Sequence, residues 1–203
     1  MNVKELLKEC QHHKQAVLAT NFYNLETLQA VMRAAQATQS PVLLQLTRSS
    51  IDYMGLKNAV VMARQAIADY GVNGWVHLDH GGSIELVERC LDAGFDSVMI
   101  DASEEPFEVN VETTRKVVEM AAPYGVNVEA ELGYVAKLGQ QQGGGFTTPE
   151  QAKLFVEQTG VDALAVSIGS AHGFYKQAPK LDIERLAQIR AVDRKYSQLS
   201  PNH

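Results

Sequence analysis

The stretch WVHLDHGG, residues 75–82, places two imidazoles and a carboxylate at the end of an apolar run. Zinc takes imidazole nitrogens and carboxylate oxygens as ligands, and a catalytic zinc leaves one position open to substrate. A carboxylate can also move a proton near neutral pH when its surroundings tune it. Polar groups recur along the chain where short apolar runs end: Asn21, Thr47, Asp101, Glu131, and Ser170 with His172. If the ends of those runs converge on one mouth, His80, Asp101, Glu131 and His172 form a divalent-metal environment with Asp79 beside it. Each histidine also has a plainer reading. A lone histidine near a strand end is usually just hydrogen-bonded, which suits His77, one strand period before Asp79. His12 and His13 fall on a charged N-terminal segment and read as solvated.

Asp79 and His80 are consecutive, and strict alternation sends consecutive side chains to opposite faces of a strand. Both serve one site only where the backbone turns. Gly81 and Gly82 follow at once and are expected to supply that turn.

Elements that could position these groups are visible in the hydrophobic pattern. Strands are expected at 16–22, 41–47, 74–80, 97–103, 127–133 and 162–170. Each is followed by a stretch of helical period, and a helix at 2–13 precedes the first. Asn24 is placed to cap the helix after the first strand, and Gly71, Gly94, Gly125 and Gly160 to end later ones. Repeated βα units imply a parallel sheet, either doubly wound or a (β/α)8 barrel. Neither the G-x-G-x-x-G fingerprint nor a P-loop is present. Polar residues at many strand ends favour the barrel, whose chemistry sits at the C-terminal ends of several strands. The expected architecture is therefore α/β, a (β/α)8 TIM-barrel type with about six βα units, as a single incomplete domain over 1–203.

Composition narrows the function classes. The 203 residues carry 18 Lys and Arg against 24 Asp and Glu, a net charge of -6, with no basic run of the kind that binds nucleic acid. No apolar stretch is long enough for a membrane span, and the N-terminus has no signal-peptide core. Cys10 and Cys90 make no disulfide framework. A cytoplasmic protein is expected.

The sequence resembles the class II, zinc-dependent ketose-bisphosphate aldolases, which include fructose- and tagatose-bisphosphate aldolases. The resemblance rests on ATNFYNLETLQAV, HLDHGGSIELVERCLDAGFDSVMIDAS, PFEVNVETTRKVVEMA, VEAELG, TGVDALAVSIGSAHGFYK and PKLDIERLAQIR, in that order. It implies a (β/α)8 barrel and a lyase that cleaves or forms a ketose 1,6-bisphosphate, an aldehyde-lyase of glycolysis and carbohydrate metabolism. The reaction passes through the enediolate of dihydroxyacetone phosphate and a phosphorylated aldehyde. By resemblance His80 and His172 are zinc ligands, and Asp101 and Glu131 are carboxylates of an alternative metal position. Asp79 is the catalytic aspartate. Asn21, Thr47 and Gly173 bind substrate, Thr47 where the family often has serine. Zn2+ is the implied cofactor, with a monovalent cation as a further candidate, and the full-length parent is expected to be a homo-oligomer. No lysine Schiff base is required, although Lys137, Lys176 and Lys180 are present.

Two departures from the family qualify these implications. The seventh and eighth strands, with the third zinc-binding histidine and the phosphate loops, have no counterpart before His203, so the chain is expected to be C-terminally truncated. His203 itself lies in a polar tail with no strand to position it. The loop after the fifth strand, YVAKLGQQQGGGF, lacks the family's acidic stretch, so no enolising base is assigned. Two alternatives stand beside the enzyme. One is a catalytically inactive truncated paralogue. The other is a metal-independent lyase or isomerase using Asp79 and His80 as an acid–base pair.

Overall fold

A computed structural model describes residues 1–133, 145–170 and 178–197, the side chains of 193–197 excepted. Helices begin where short polar side chains can serve unpaired backbone N–H groups. α1 (Val3–His13) starts at Asn2, whose side chain accepts from the Glu5 N–H while Glu5 reaches back. α2 (Leu25–Thr38) starts at Asn24 in the same way with Thr27 as partner. α7 (Pro149–Thr159) uses Thr148 and Gln151. Between them run α3 (Arg48–Met54), α4 (Leu56–Tyr70), α5 (Ile84–Asp92) and α6 (Phe107–Ala121). α8 (Ile183–Ser197) closes the described chain.

The strands are β1 (Leu18–Asn21), β2 (Val42–Leu46), β3 (Gly74–Gly81), β4 (Ser97–Ile100), β5 (Asn127–Leu132) and β6 (Ala163–Val166). They form one six-stranded sheet in strictly sequential order, β1 to β6. A doubly wound sheet reverses its order at a switch point, whereas a (β/α) barrel adds each strand beside the last. The observed order is that of the barrel. β1 to β4 pair in parallel, and one register row runs Asn21, Gln45, His77 and Ser97.

Each expected strand is present, most of them shorter than the apolar run. The run at 162–170 contains only Ala163–Val166 as strand. α3 was not expected. Thr47 does not end β2 in a loop but caps a seven-residue helix. Gly71, Gly125 and Gly160 take the left-handed conformation at the ends of α4, the 3-10 turn Ala122–Tyr124 and α7. Lys14 and Gln39 do the same for α1 and α2 without being glycine.

The chain divides into two compact units. One holds Met1–Asp101 with Lys116–Glu129, the other 102–115 with the residues from 130 on. In the first, Leu28, Met32, Leu44, Leu46, Val76 and Leu78 are fully buried between helices and sheet. At the starts of β2 and β3, α1 packs Val3 and Leu6 on Leu43 and Trp75, and the Trp75 indole N–H donates to the Met1 carbonyl at 3.2 Å. In the second unit Phe107 of α6 meets Phe155 of α7 edge to face at 5.9 Å. Thr147 is buried there, its hydroxyl donating to the Leu132 carbonyl and accepting from the Ser167 N–H at 2.9 Å.

Candidate active site

The site is built on the last turn of β3. His80 has φ +50°, in the left-handed region. Among the described residues, the two other non-glycine residues with positive φ, Lys14 and Gln39, end helices, where that conformation is routine. His80 alone of the three lies inside a strand. The pairing of β3 with β4 shifts between Leu78 and Gly81, so β3 is irregular at this point. The turn that brings consecutive side chains to one place is thus made by His80 and not by the glycines, contrary to the sequence expectation. Gly81 has another reason to lack a side chain: a Cβ there would run into the Met99 carbonyl oxygen and lie 2.9 Å from the Leu78 methyl. Around Gly82 nothing would obstruct one. A left-handed backbone at a residue other than glycine costs on the order of 1–3 kcal/mol and persists where the surroundings enforce it, most often at functional sites.

The turn gives His80 two distinct faces. Nδ1 lies 2.8 Å from Oδ2 of Asp101, the residue that follows β4. Nε2 lies 3.9 Å from Oδ1 of Asp79. The Asp79 carboxylate is held from two neighbouring strands. Asn21 Nδ2 donates to Oδ2 at 2.8 Å, and Gln45 Nε2 donates to Oδ1 at 3.4 Å. Asn21 was expected at the site; Gln45 was not. It sits within the apolar run PVLLQLT, and only the sheet register places it beside Asn21 and one step below Asp79.

His77 belongs to the layer beneath. It is 3% exposed, its Nδ1 lies 2.8 Å from Ser97 Oγ, and its Nε2 lies 3.7 Å from the Glu129 carboxylate. Asn127 Nδ2 also donates to Ser97 Oγ, at 2.9 Å. Burial, opposed by Asp79 and assisted by His80, lowers the His77 pKa to about 4. A neutral, buried and hydrogen-bonded imidazole is a structural group, in line with its reading from sequence.

Glu131, on β5, is buried in the second unit. Its carboxylate accepts from Ser103 Oγ at 3.4 Å, and its carbonyl accepts from Asn110 Nδ2 at 2.9 Å. Thr47 caps α3, accepting from the Ser50 N–H at 3.3 Å. His172 and Gly173 lie outside the described residues. Imidazole nitrogen and carboxylate oxygen are both donors that zinc accepts, and the Nε2 face of His80 beside Asp79 offers them.

The model of the class-II fructose-bisphosphate aldolase family matches residues 1–196. The chain belongs to that family. It is 43% identical over 198 residues to the fructose-bisphosphate aldolase of Geobacillus stearothermophilus, covering 94% of this chain and 68% of that protein. The Staphylococcus aureus fructose-bisphosphate aldolase is 42% identical, with 93% and 68% covered. Among solved structures, the YdjI aldolase from Escherichia coli K12 superposes with a TM-score of 0.84 at 32% identity, over 94% of this chain and 69% of that one. A putative fructose-1,6-biphosphate aldolase from Coccidioides immitis gives 0.85 at 33%, over 96% and 70%. The expected fold class, a (β/α)8 barrel type with six βα units in this chain, therefore holds. The class-II family membership makes the chain an aldolase, a lyase of carbohydrate metabolism, by descent.

Proposed function

We propose that this class-II aldolase cleaves and forms a ketose 1,6-bisphosphate, fructose or tagatose, using Zn2+. The products of cleavage are dihydroxyacetone phosphate and a phosphorylated aldehyde. The observation that carries the reading is the left-handed turn at His80, which sets its Nε2 beside the Asp79 carboxylate.

By the family resemblance His80 and His172 would hold the metal, with Asp101 and Glu131 as the carboxylates of an alternative metal position. When bound, Zn2+ supplies Lewis-acid polarisation of the substrate carbonyl. Asp79 takes the proton from the substrate hydroxyl at the bond that breaks and returns it in the reverse direction. Its two amide partners, Asn21 and Gln45, fix the plane of the carboxylate so that the proton moves along one direction. Thr47 contacts the aldehyde half and Gly173 the dihydroxyacetone phosphate half. A monovalent cation, a homo-oligomeric assembly and a cytoplasmic location complete the proposal. No helix among the described residues is long and apolar enough to cross a membrane.

The test is zinc content together with cleavage of fructose and tagatose bisphosphates by the purified chain. Asp79→Asn is expected to keep its zinc and lose about 10²-fold or more in kcat. His80→Ala is expected to lose zinc and cleavage together. Undiminished turnover by metal-stripped protein, or by His80→Ala, would sink the proposal.

A further inference from the structure

We infer that the outer groove between α2, α3 and α4 is the face on which a second copy of this chain docks, the two copies related by a two-fold axis. The inference gives a place to the homo-oligomeric assembly proposed above and rests on that part of the reading only.

The groove has a volume of about 530 Å³ and lies wholly within the first compact unit. Leu25 of α2, Tyr53 and Met54 of α3, and Lys57, Val61 and Met62 of α4 line it. The outer face of a helix that covers a sheet is ordinarily polar. Here Tyr53 is 79% exposed, Val61 66% and Leu25 49%, and Tyr23 stands exposed just before α2. Three helices thus bring large apolar side chains to one outward patch. Single exposed apolar residues need no explanation, but a contiguous set rimmed by polar groups marks an interaction surface. Tyrosine and methionine are also among the residue types that interfaces favour. The groove owes its shape to Gly55, whose φ of +81° turns the chain between α3 and α4. Asn58 Nδ2 donates to the Met54 carbonyl at 3.1 Å across that corner.

The charges around the groove select the partner. Arg48 and Asp52 pair with each other at 2.8 Å. Glu26, beside Leu25, and Lys57 are both exposed and make no ion pair among the described residues. These four charges cancel, on a chain whose net charge is -6. Two acidic molecules can therefore meet here without an excess of like charge. The patch also carries one unpaired anion and one unpaired cation, so it is complementary to itself. A half-turn sets Glu26 of each copy against Lys57 of the other, and the pair is made twice. A foreign partner has to match both charges independently, whereas a second copy does so by symmetry. Docking also covers Tyr53 and Met54 at the end of α3, a seven-residue helix too short to be stable by itself, and so steadies the element that Thr47 caps.

The experiment is sedimentation velocity of the full chain across a range of micromolar concentrations, with circular dichroism to verify that each variant is folded. The wild type is expected to sediment as a dimer or a multiple of one. Val61→Lys, which puts a charge among the apolar side chains, is expected to weaken self-association about tenfold or more. Glu26→Lys and Lys57→Glu each set like charges opposite one another at two places and are expected to do the same. Combined in one chain they exchange the two charges, and most of the lost affinity is expected to return. A wild type that stays monomeric at every concentration overturns the inference. So does a dimer that persists unweakened in folded Val61→Lys, or a double reversal that stays as weak as either single one. The charge variants carry the test if Val61→Lys fails to fold. Mass is read here, not zinc or cleavage, so this inference stands or falls apart from the catalytic reading.

Discussion

His77 and His80, three residues apart on one strand, meet opposite conditions. His80 reaches a partly exposed edge where its two nitrogens face two carboxylates. His77 is enclosed, with its pKa lowered to about 4 mainly by burial. Between the ordinary histidine pKa near 6.5 and about 4, the unfolded chain takes up a proton that the folded protein refuses. Stability is therefore expected to fall as pH drops through that window, by about 2 kcal/mol from pH 7 to pH 5. Urea unfolding at the two pH values measures it, and His77→Gln should remove that part of the slope. A slope equal in the variant would show that other groups carry the pH dependence. At this scale the sequence is informative about residue types and poor about geometry. Asp79 and His80 stand out because a carboxylate and an imidazole end an apolar run. Gln45 does not, because a single amide among leucines resembles a tolerated polar residue until the neighbouring strands are aligned.

The element that decides the site is the irregular end of β3. Replacing Gly81 by alanine would push a methyl group against the Met99 carbonyl, a backbone atom that cannot rotate away. Gly81→Ala is expected to cost about 1–3 kcal/mol, as overpacking does. It should also weaken zinc binding by displacing Asp101 from His80, whereas Gly82→Ala, with open space around it, should affect neither. Thermal melts and chelator titration of the two variants give the comparison. The start of α2 was legible because its signal is chemical, Asn24 capping as its residue type suggests; Asn2 and Thr148, not singled out from the sequence, cap in the same way. α3 was not, because a seven-residue helix shows barely two turns of periodicity and Thr47 read as a strand end. Strand lengths were overestimated because apolar runs continue past the last paired residue, as at 162–170.

Across the whole molecule, the alternation of strand and helix periods carried the fold class, since sequential parallel strands need only that repeat and a consistent hand. What the pattern could not give is how the strand starts are closed. There, α1 buries Leu6 against Trp75 and Leu43. Leu6→Ala is expected to cost about 2–4 kcal/mol and to red-shift Trp75 emission, the only tryptophan signal in the chain. Unchanged emission would show that α1 does not seal this end. The Thr147 hydroxyl has a different consequence. It joins the carbonyl that ends β5 to the amide that follows β6, and Gly133 leaves room for it. One hydroxyl thus acts as a clasp between two strand ends, and Thr147→Val is expected to loosen the end of β5 and the residue after β6 together, read as faster amide hydrogen exchange at Ser167.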